Sequence, residues 1–257
     1  MKTYISLTSI KDNQPSLIHA LKSIQNQTQQ PDRCFLYLSE EPYMLDKGFK
    51  DKRLDKDLDE LINANSLFEI KWVKNTGPYR KLLPLLKEKF EEDCVIITVD
   101  DDTSYDPDMI KKYVKNYKEH DCVIGSRSFT MNTENFDNIS YKKRAKLKKS
   151  DVYNFHTGKG GVLYHPKFFA KSVSHLFDES IYKECCPTND DIWFNFHRIV
   201  NGVKCYVGER TYQERVDDHT TKFALYRNFN MLNENNTIHM RKTINKLKEL
   251  RYEFSSF

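Results

Sequence analysis

The sequence predicts an α/β fold with a mostly parallel central sheet flanked by helices. Three observations carry that prediction. Residues 1–127 alternate strand-like and helix-like segments, the pattern of βαβ units. Residues 94–99 (CVIITV) form an unbroken apolar, β-prone run, as expected of a strand buried on both faces of a parallel sheet. That run leads directly into Asp100, Asp101 and Asp102, and ligands of open α/β sheets bind at the carboxyl ends of the strands.

Residues 3–8 (TYISLT) make a first strand. Asp12, Asn13 and Pro15 then signal a helix start, and Leu17, Leu21 and Ile24 give that helix one apolar face. Residues 33–39 are a second strand, and 40–50 an acidic loop. Leu54, Leu58, Leu61 and Ile62 recur on helical period, and Phe68 to Val73 alternates as a third strand. Residues 78–90 are helical by pattern, but Pro84 must kink that helix or begin a second one. After strand 94–99, Asp106 and Pro107 open a helix with Ile110, Tyr113, Val114 and Tyr117 on one face. Residues 121–125 are a fifth strand.

The alternation then stops. Residues 128–157 show no sustained periodicity, which predicts a solvated, mobile stretch. Lys142, Lys143, Arg144, Lys146, Lys148 and Lys149 form a basic block within it that would also suit an anionic partner such as a membrane surface. Residues 158–164 and 203–208 read as strands. Residues 188–201 read as a helix capped by Thr188, and 237–252 as a basic terminal helix. The second half elaborates the first and does not read as a separate domain.

Composition narrows the function. Apolar residues at 39% and aromatics at 13% supply a core, and a net charge of +4 does not imply nucleic acid. Six cysteines without C-x-x-C spacing read as reduced, buried thiols and not as a zinc site. No long apolar leader or 18-residue apolar run is present, so a cytoplasmic protein is expected, with the basic block as its contact for a membrane periphery. No Gly-x-Ser-x-Gly, His-Glu-x-x-His or paired Cys/His motif supports serine, cysteine or zinc hydrolase chemistry.

Three carboxylates at the exit of a buried strand repel one another and resist desolvation. A divalent cation, Mn2+ or Mg2+, relieves that conflict, since hard cations take oxygen ligands. Asp100 and Asp102 form a D-x-D suited to a cation that bridges diphosphate oxygens. A second acidic pair, Asp190 and Asp191, starts a predicted helix. Either residue alone suits the helix dipole, but Trp193 beside the pair adds an aromatic wall fit for a sugar or base pocket. Arg80 and Lys81 suit phosphate and equally suit a solvated helix face. Gly158, Gly160 and Gly161 flank Lys159 and permit close backbone approach to a ligand. His219, in VDDHTTKF, is a candidate helper ligand for the metal.

Several segments in this order together resemble one family: ISLTSI at 5–10, NTGPYRKLLPLL at 75–86, VIITVDDDTSYDP at 95–107, GKGGVLYHP at 158–166 and TNDDIWFNF at 188–196. They resemble nucleotide-sugar-dependent glycosyltransferases of the GT-A fold, close to family 2 and to bacterial or viral capsule and lipopolysaccharide enzymes. The resemblance spans most of residues 3–210. It implies a single Rossmann-like GT-A domain over 1–257, with 1–127 the nucleotide-binding half and 128–257 the acceptor-side half. It implies that Asp100 contacts ribose or metal, with Asp101 beside it, and that Asp102 ligates the metal. Thr8 joins the donor-contacting set, and Gly160 and Gly161 approach donor sugar and acceptor. Asp191 aligns with the general base of inverting members, and Asp190 is its acidic neighbour. Where relatives often carry an arginine soon after the first strand, this chain has Lys11, Asp12 and Asn13.

The expected function is metal-dependent transfer of a sugar from a nucleoside-diphosphate sugar, a UDP-sugar, to a hydroxyl of a glycan or glycolipid, with no nucleic-acid partner. A nucleotidyltransferase or phosphohydrolase would share the acidic-strand metal site. A basic nucleic-acid-binding module would instead use residues 142–149 and 241–251.

Overall fold

A computed structural model describes residues 1–134, 136–214 and 222–254. The apolar runs of the first half form the parallel part of the main sheet. Its strands are β1 (Lys2–Thr8), β2 (Arg33–Leu38), β3 (Phe68–Trp72) and β4 (Cys94–Thr98), in spatial order β3-β2-β1-β4. All three pairings among them are parallel. All five residues of β4 are buried, as its unbroken apolar sequence requires.

Helices cover this sheet. α1 (Gln14–Gln25) buries Leu17, Leu21 and Ile24, and α2 (Lys56–Asn63) buries Leu58 and Ile62. Pro84 acts as expected: a 3-10 turn over Gly77–Lys81 ends before it, and α3 (Leu83–Glu88) holds it in its first turn, where a missing N–H costs nothing. After β5 (Thr103–Tyr105), α4 (Met109–His120) buries Ile110, Tyr113, Val114 and Tyr117.

The later strands are short. They are β6 (Val123–Gly125), β7 (Ser128–Met131), β8 (Arg144–Ala145), β9 (Ser150–Asp151), β10 (Asn154–His156), β11 (Val162–Tyr164), β12 (Cys205–Val207) and β13 (Tyr212–Glu214). The main sheet continues from β4 as β11-β6-β12-β9, giving eight strands. β11 runs antiparallel to both β4 and β6, which leaves β6 and β12 parallel to the first half. β10-β7-β8 form a separate antiparallel sheet, and β13 pairs with β5. The helices of this half are α5 (Val173–Leu176), α6 (Glu179–Cys185), α7 (Asp190–Val200) and α8 (Asn235–Glu249).

Three expectations are corrected. Residues 128–157 are not a featureless solvated stretch: they carry β7 to β10 and bury Phe129, Met131, Phe155 and His156. Strands of two to four residues are too short to show a period. The basic block within them is partly committed, with Lys142 and Lys148 paired to Glu234 and Asp151, and Arg144 and Lys149 over the rings of Phe129 and Tyr206. Only Val162–Tyr164 of the run 158–164 is strand, because Gly158–Gly160 form a 3-10 turn. The cap of α7 is Asn189, whose Oδ1 accepts from the Ile192 N–H, while Thr188 donates to Asn230.

One continuous cluster of buried side chains runs from Tyr4 to Leu247. All six cysteines are buried and free, as their apolar surroundings predict. Among the described residues no helix is long and apolar enough to cross a membrane.

Candidate active site

The exit of β4 spreads its three carboxylates in different directions. The Asp100 N–H donates to the Tyr105 hydroxyl, 2.8 Å away, and fixes the turn. Asp100 Oδ1 accepts from Lys81 Nζ at 2.8 Å. Asp101 turns the other way, toward the start of α1, and accepts from Ser9 Oγ at 2.5 Å and Asn13 Nδ2 at 3.1 Å. Asp102 accepts from Thr103 Oγ1 and lies 3.9 Å from Lys159 Nζ. Burial, then the charge of Asp102, pushes the Asp101 carboxyl up to about 7, against the bonds from Ser9 and Asn13. Burial and Asp100 likewise raise Asp102.

The second acidic pair reaches the first through Lys81. This side chain, at the end of the 3-10 turn before α3, lies 2.8 Å from Asp100 and 3.8 Å from Asp190 Oδ2. Burial disfavours its charge, but Asp100, Asp190 and Asp191 outweigh that and hold its pKa well above the usual ammonium value. Burial raises the Asp190 carboxyl against the pull of Lys81, and its Oδ2 accepts no hydrogen bond among the described residues. Both oxygens of Asp191 face the Gly158 N–H, at 3.0 and 3.1 Å. Burial, then Asp190, lifts Asp191 to about 7, although part of the side chain stays open to the cleft. A carboxylate poised near neutrality is suited to take a proton.

These groups line one cleft of about 570 Å³, together with Thr8, Ser9, Asp46, Arg80, Gly158 and Lys159. Thr8 Oγ1 donates to the Tyr37 carbonyl at 2.7 Å. Arg80 is buried and bound to Asp46, Ser39 and the Gly77 carbonyl, so neither it nor Lys81 is a solvated helix face. Three expected residues stand elsewhere. Gly160 and Gly161 do not line the cleft; their carbonyls accept from Tyr113 at 2.7 and 3.2 Å. Trp193 is wholly buried, with Nε1 donating to the Leu176 carbonyl, and forms core and not a cleft wall. His219 lies outside the described residues.

Sequence reasoning missed the supports. A Cβ at Gly158 would sit 2.6 Å from Lys81 Nζ and 3.2 Å from Asp191 Oδ1, so glycine here makes room for the link between the two clusters. Asn195 Nδ2 donates to the carbonyls of Asp191 and His156, at 2.7 and 2.9 Å. Arg198, wholly buried, donates to Asn195 Oδ1 and to the carbonyls of Val152, Asn154 and Val203. The signal for Asn195 was its position one helical turn after Asp191, on the same face.

The donor set suits a hard divalent cation. Asp100 and Asp102 offer carboxylate oxygens, and their mutual repulsion is a conflict that a cation would lessen. Among the described residues no three His, Cys, Asp or Glu side chains form a ready cage, so further ligands would come from a substrate's phosphates or from water.

Neither a protein-family model nor a curated protein sequence matches the chain. Solved structures do. S. aureus TarS 1-349 in complex with UDP is 13% identical, with a TM-score of 0.53 over 97% of this chain and 72% of that one. The same protein in complex with UDP-GlcNAc is 12% identical, with a TM-score of 0.52 over 97% and 73%. A 4-diphosphocytidyl-2C-methyl-D-erythritol synthase is 10% identical, with a TM-score of 0.50 over 88% and 97%. At this level of identity the likeness establishes the fold, which is of the GT-A glycosyltransferase type.

Proposed function

We propose that the protein is a metal-dependent glycosyltransferase that moves a sugar from a nucleoside-diphosphate sugar, a UDP-sugar, to a hydroxyl of a glycan or glycolipid. One observation carries the reading: two acidic clusters about 90 positions apart in sequence meet across Lys81, which touches Asp100 on one side and approaches Asp190 on the other. The similar fold of S. aureus TarS, solved in complex with UDP and with UDP-GlcNAc, supports the choice of donor.

In this reading the donor nucleotide lies toward Thr8, Ser9 and Arg80, and its diphosphate faces Asp100 and Asp102. A divalent cation held by Asp100 and Asp102 would offset charge on the departing diphosphate. Asp191, oriented by the Gly158 N–H, removes the proton of the acceptor hydroxyl. Lys81 pairs with Asp100, approaches Asp190 and so holds the two clusters at a fixed spacing. Asn195 and Arg198 support the first turn of α7 from behind.

A second reading, nucleotidyl transfer, is kept by the likeness to the diphosphocytidyl-methylerythritol synthase. A thermal-shift panel of UDP-, GDP-, CMP- and dTDP-sugars, with and without Mn2+, tests the first. A UDP-sugar should raise the melting temperature more with Mn2+ than without it. No response to any nucleotide sugar would overturn the proposal.

A further inference from the structure

We propose that the acceptor end of the cleft is an oxyanion subsite formed by Arg127 and Arg144, so that the acceptor glycan carries a phosphate or carboxylate beside the reacting hydroxyl. The proposal rests on the glycosyl-transfer reading and names its acceptor class.

Sheet order gives the layout. β1, β4, β11 and β6 are successive neighbours, and they bring Thr8, Asp100, Gly158 and Arg127 to the cleft in that order. The small sheet continues the line with Phe129 on β7 and Arg144 on β8. Asp191, held by Gly158, marks where an acceptor hydroxyl must arrive. Arg127 and Arg144 therefore stand past the base, at the end away from Thr8. Tyr226 and Arg227 line the same cleft from another segment.

The state of the cations differs between the two ends. Near the donor, Arg80, Lys81 and Lys159 each lie within 4 Å of a carboxylate, of Asp46, Asp100 and Asp102 respectively. Arg127, Arg144 and Arg227 form no ion pair among the described residues, and all three are exposed. Arg127 Nη1 donates to Thr157 Oγ1 at 3.0 Å, and the Arg144 guanidinium lies 4.3 Å from the centre of the Phe129 ring. A guanidinium has five donors, so each keeps donors free for two oxygens of a carboxylate or phosphate.

The walls here are aromatic: Phe129, Tyr141 and Tyr226 line the same end, a surface suited to the apolar face of a sugar ring. Burial, then Asp191, raises the Tyr141 phenol, and Arg127 and Arg144 oppose them.

The test measures binding of three small probes: methyl glucoside, its 6-phosphate and methyl glucuronide. Each is titrated by NMR into the full chain, alone and with UDP and Mn2+. The wild type should bind at least one acidic probe about tenfold more tightly than the neutral one, and comparison of the two acidic probes identifies the anion. The double variant Arg127→Gln with Arg144→Gln should bring the preference below about threefold while UDP affinity stays within about twofold. Equal binding of neutral and acidic probes by the wild type would overturn the proposal. So would loss of UDP affinity in the variant, which would assign these arginines to the donor diphosphate. Failure to bind any UDP-sugar would count against the glycosyl-transfer reading alone, because the probe preference is read without turnover.

Discussion

Replacing Asp191 and Asp190 in turn separates a base from its neighbour, because the same substitution at adjacent positions should abolish the pH limb in one case and only move it in the other. Asp191→Asn keeps a side-chain oxygen that can accept the Gly158 N–H, now 3.0 Å from Oδ1, so shape and donor affinity should hold. Loss of the general base should cut kcat by about 10²–10⁴-fold. The wild-type base titrates at about 7, so kcat should rise with pH through neutrality and level off above it. That limb should vanish in Asp191→Asn. Asp190 is, after burial, the leading cause that raises Asp191. Asp190→Asn should therefore lower the pKa of the base and move the limb to more acidic pH. Its plateau should fall by less than about tenfold, the effect of a weaker base. Lys81 would lose a partner at 3.8 Å but keep Asp100 at 2.8 Å. The assay is initial rate against pH, with donor affinity measured in parallel. Equal small losses in both variants would reduce the pair to helix capping, a term of roughly 0.3–1 kcal/mol. A larger loss for Asp190→Asn, or a limb that persists in Asp191→Asn, would show that the wrong carboxylate was chosen.

Three further outcomes follow from the same geometry. Asp102→Ala should abolish turnover and the Mn2+ dependence of nucleotide binding with the fold intact by circular dichroism; near-normal Mn2+-dependent activity would exclude Asp102 as a ligand. Gly158→Ala should cost less than about 1 kcal/mol in urea unfolding, since the flexible end of Lys81 can shift, yet lower kcat by about tenfold or more through misplacement of Lys81 and Asp191. Unchanged kcat would mean that their spacing is immaterial. Arg198→Leu should destabilise the protein by about 3–5 kcal/mol, because it strands the buried carbonyls of Val152, Asn154 and Val203. A loss under about 1 kcal/mol would contradict the role given to this side chain.

The parts of the fold that could be read in the sequence are those with a local cause. β4 announces itself by five consecutive buried residues, and the break at Pro84 by the chemistry of proline. Strand direction has no local signature, so the antiparallel insertion of β11 was invisible. The short strands within 128–157 lack the length for a pattern. At the site, the carboxylates stood out because charge at the end of an apolar run is unusual. Lys81 was legible only as a phosphate contact or, equally, a solvated helix face; its link between Asp100 and Asp190 needed the fold that brings both around it. Arg198 shows the same limit, since two of its partners, Val152 and Asn154, come from β10 and the loop before it. Trp193 was misplaced because the pattern around it gives a helix but does not say which face meets the core.

Phosphorus NMR of the reaction products separates glycosyl from nucleotidyl transfer. One tube holds the protein, Mn2+, a UDP-sugar and a hydroxyl acceptor; a second holds UTP and a sugar 1-phosphate. Glycosyl transfer releases UDP in the first tube and nothing in the second, and the signal should fall about 10²–10⁴-fold in rate in Asp191→Asn. Pyrophosphate from the second tube, with no UDP from the first, would contradict it and assign the cleft to nucleotidyl transfer.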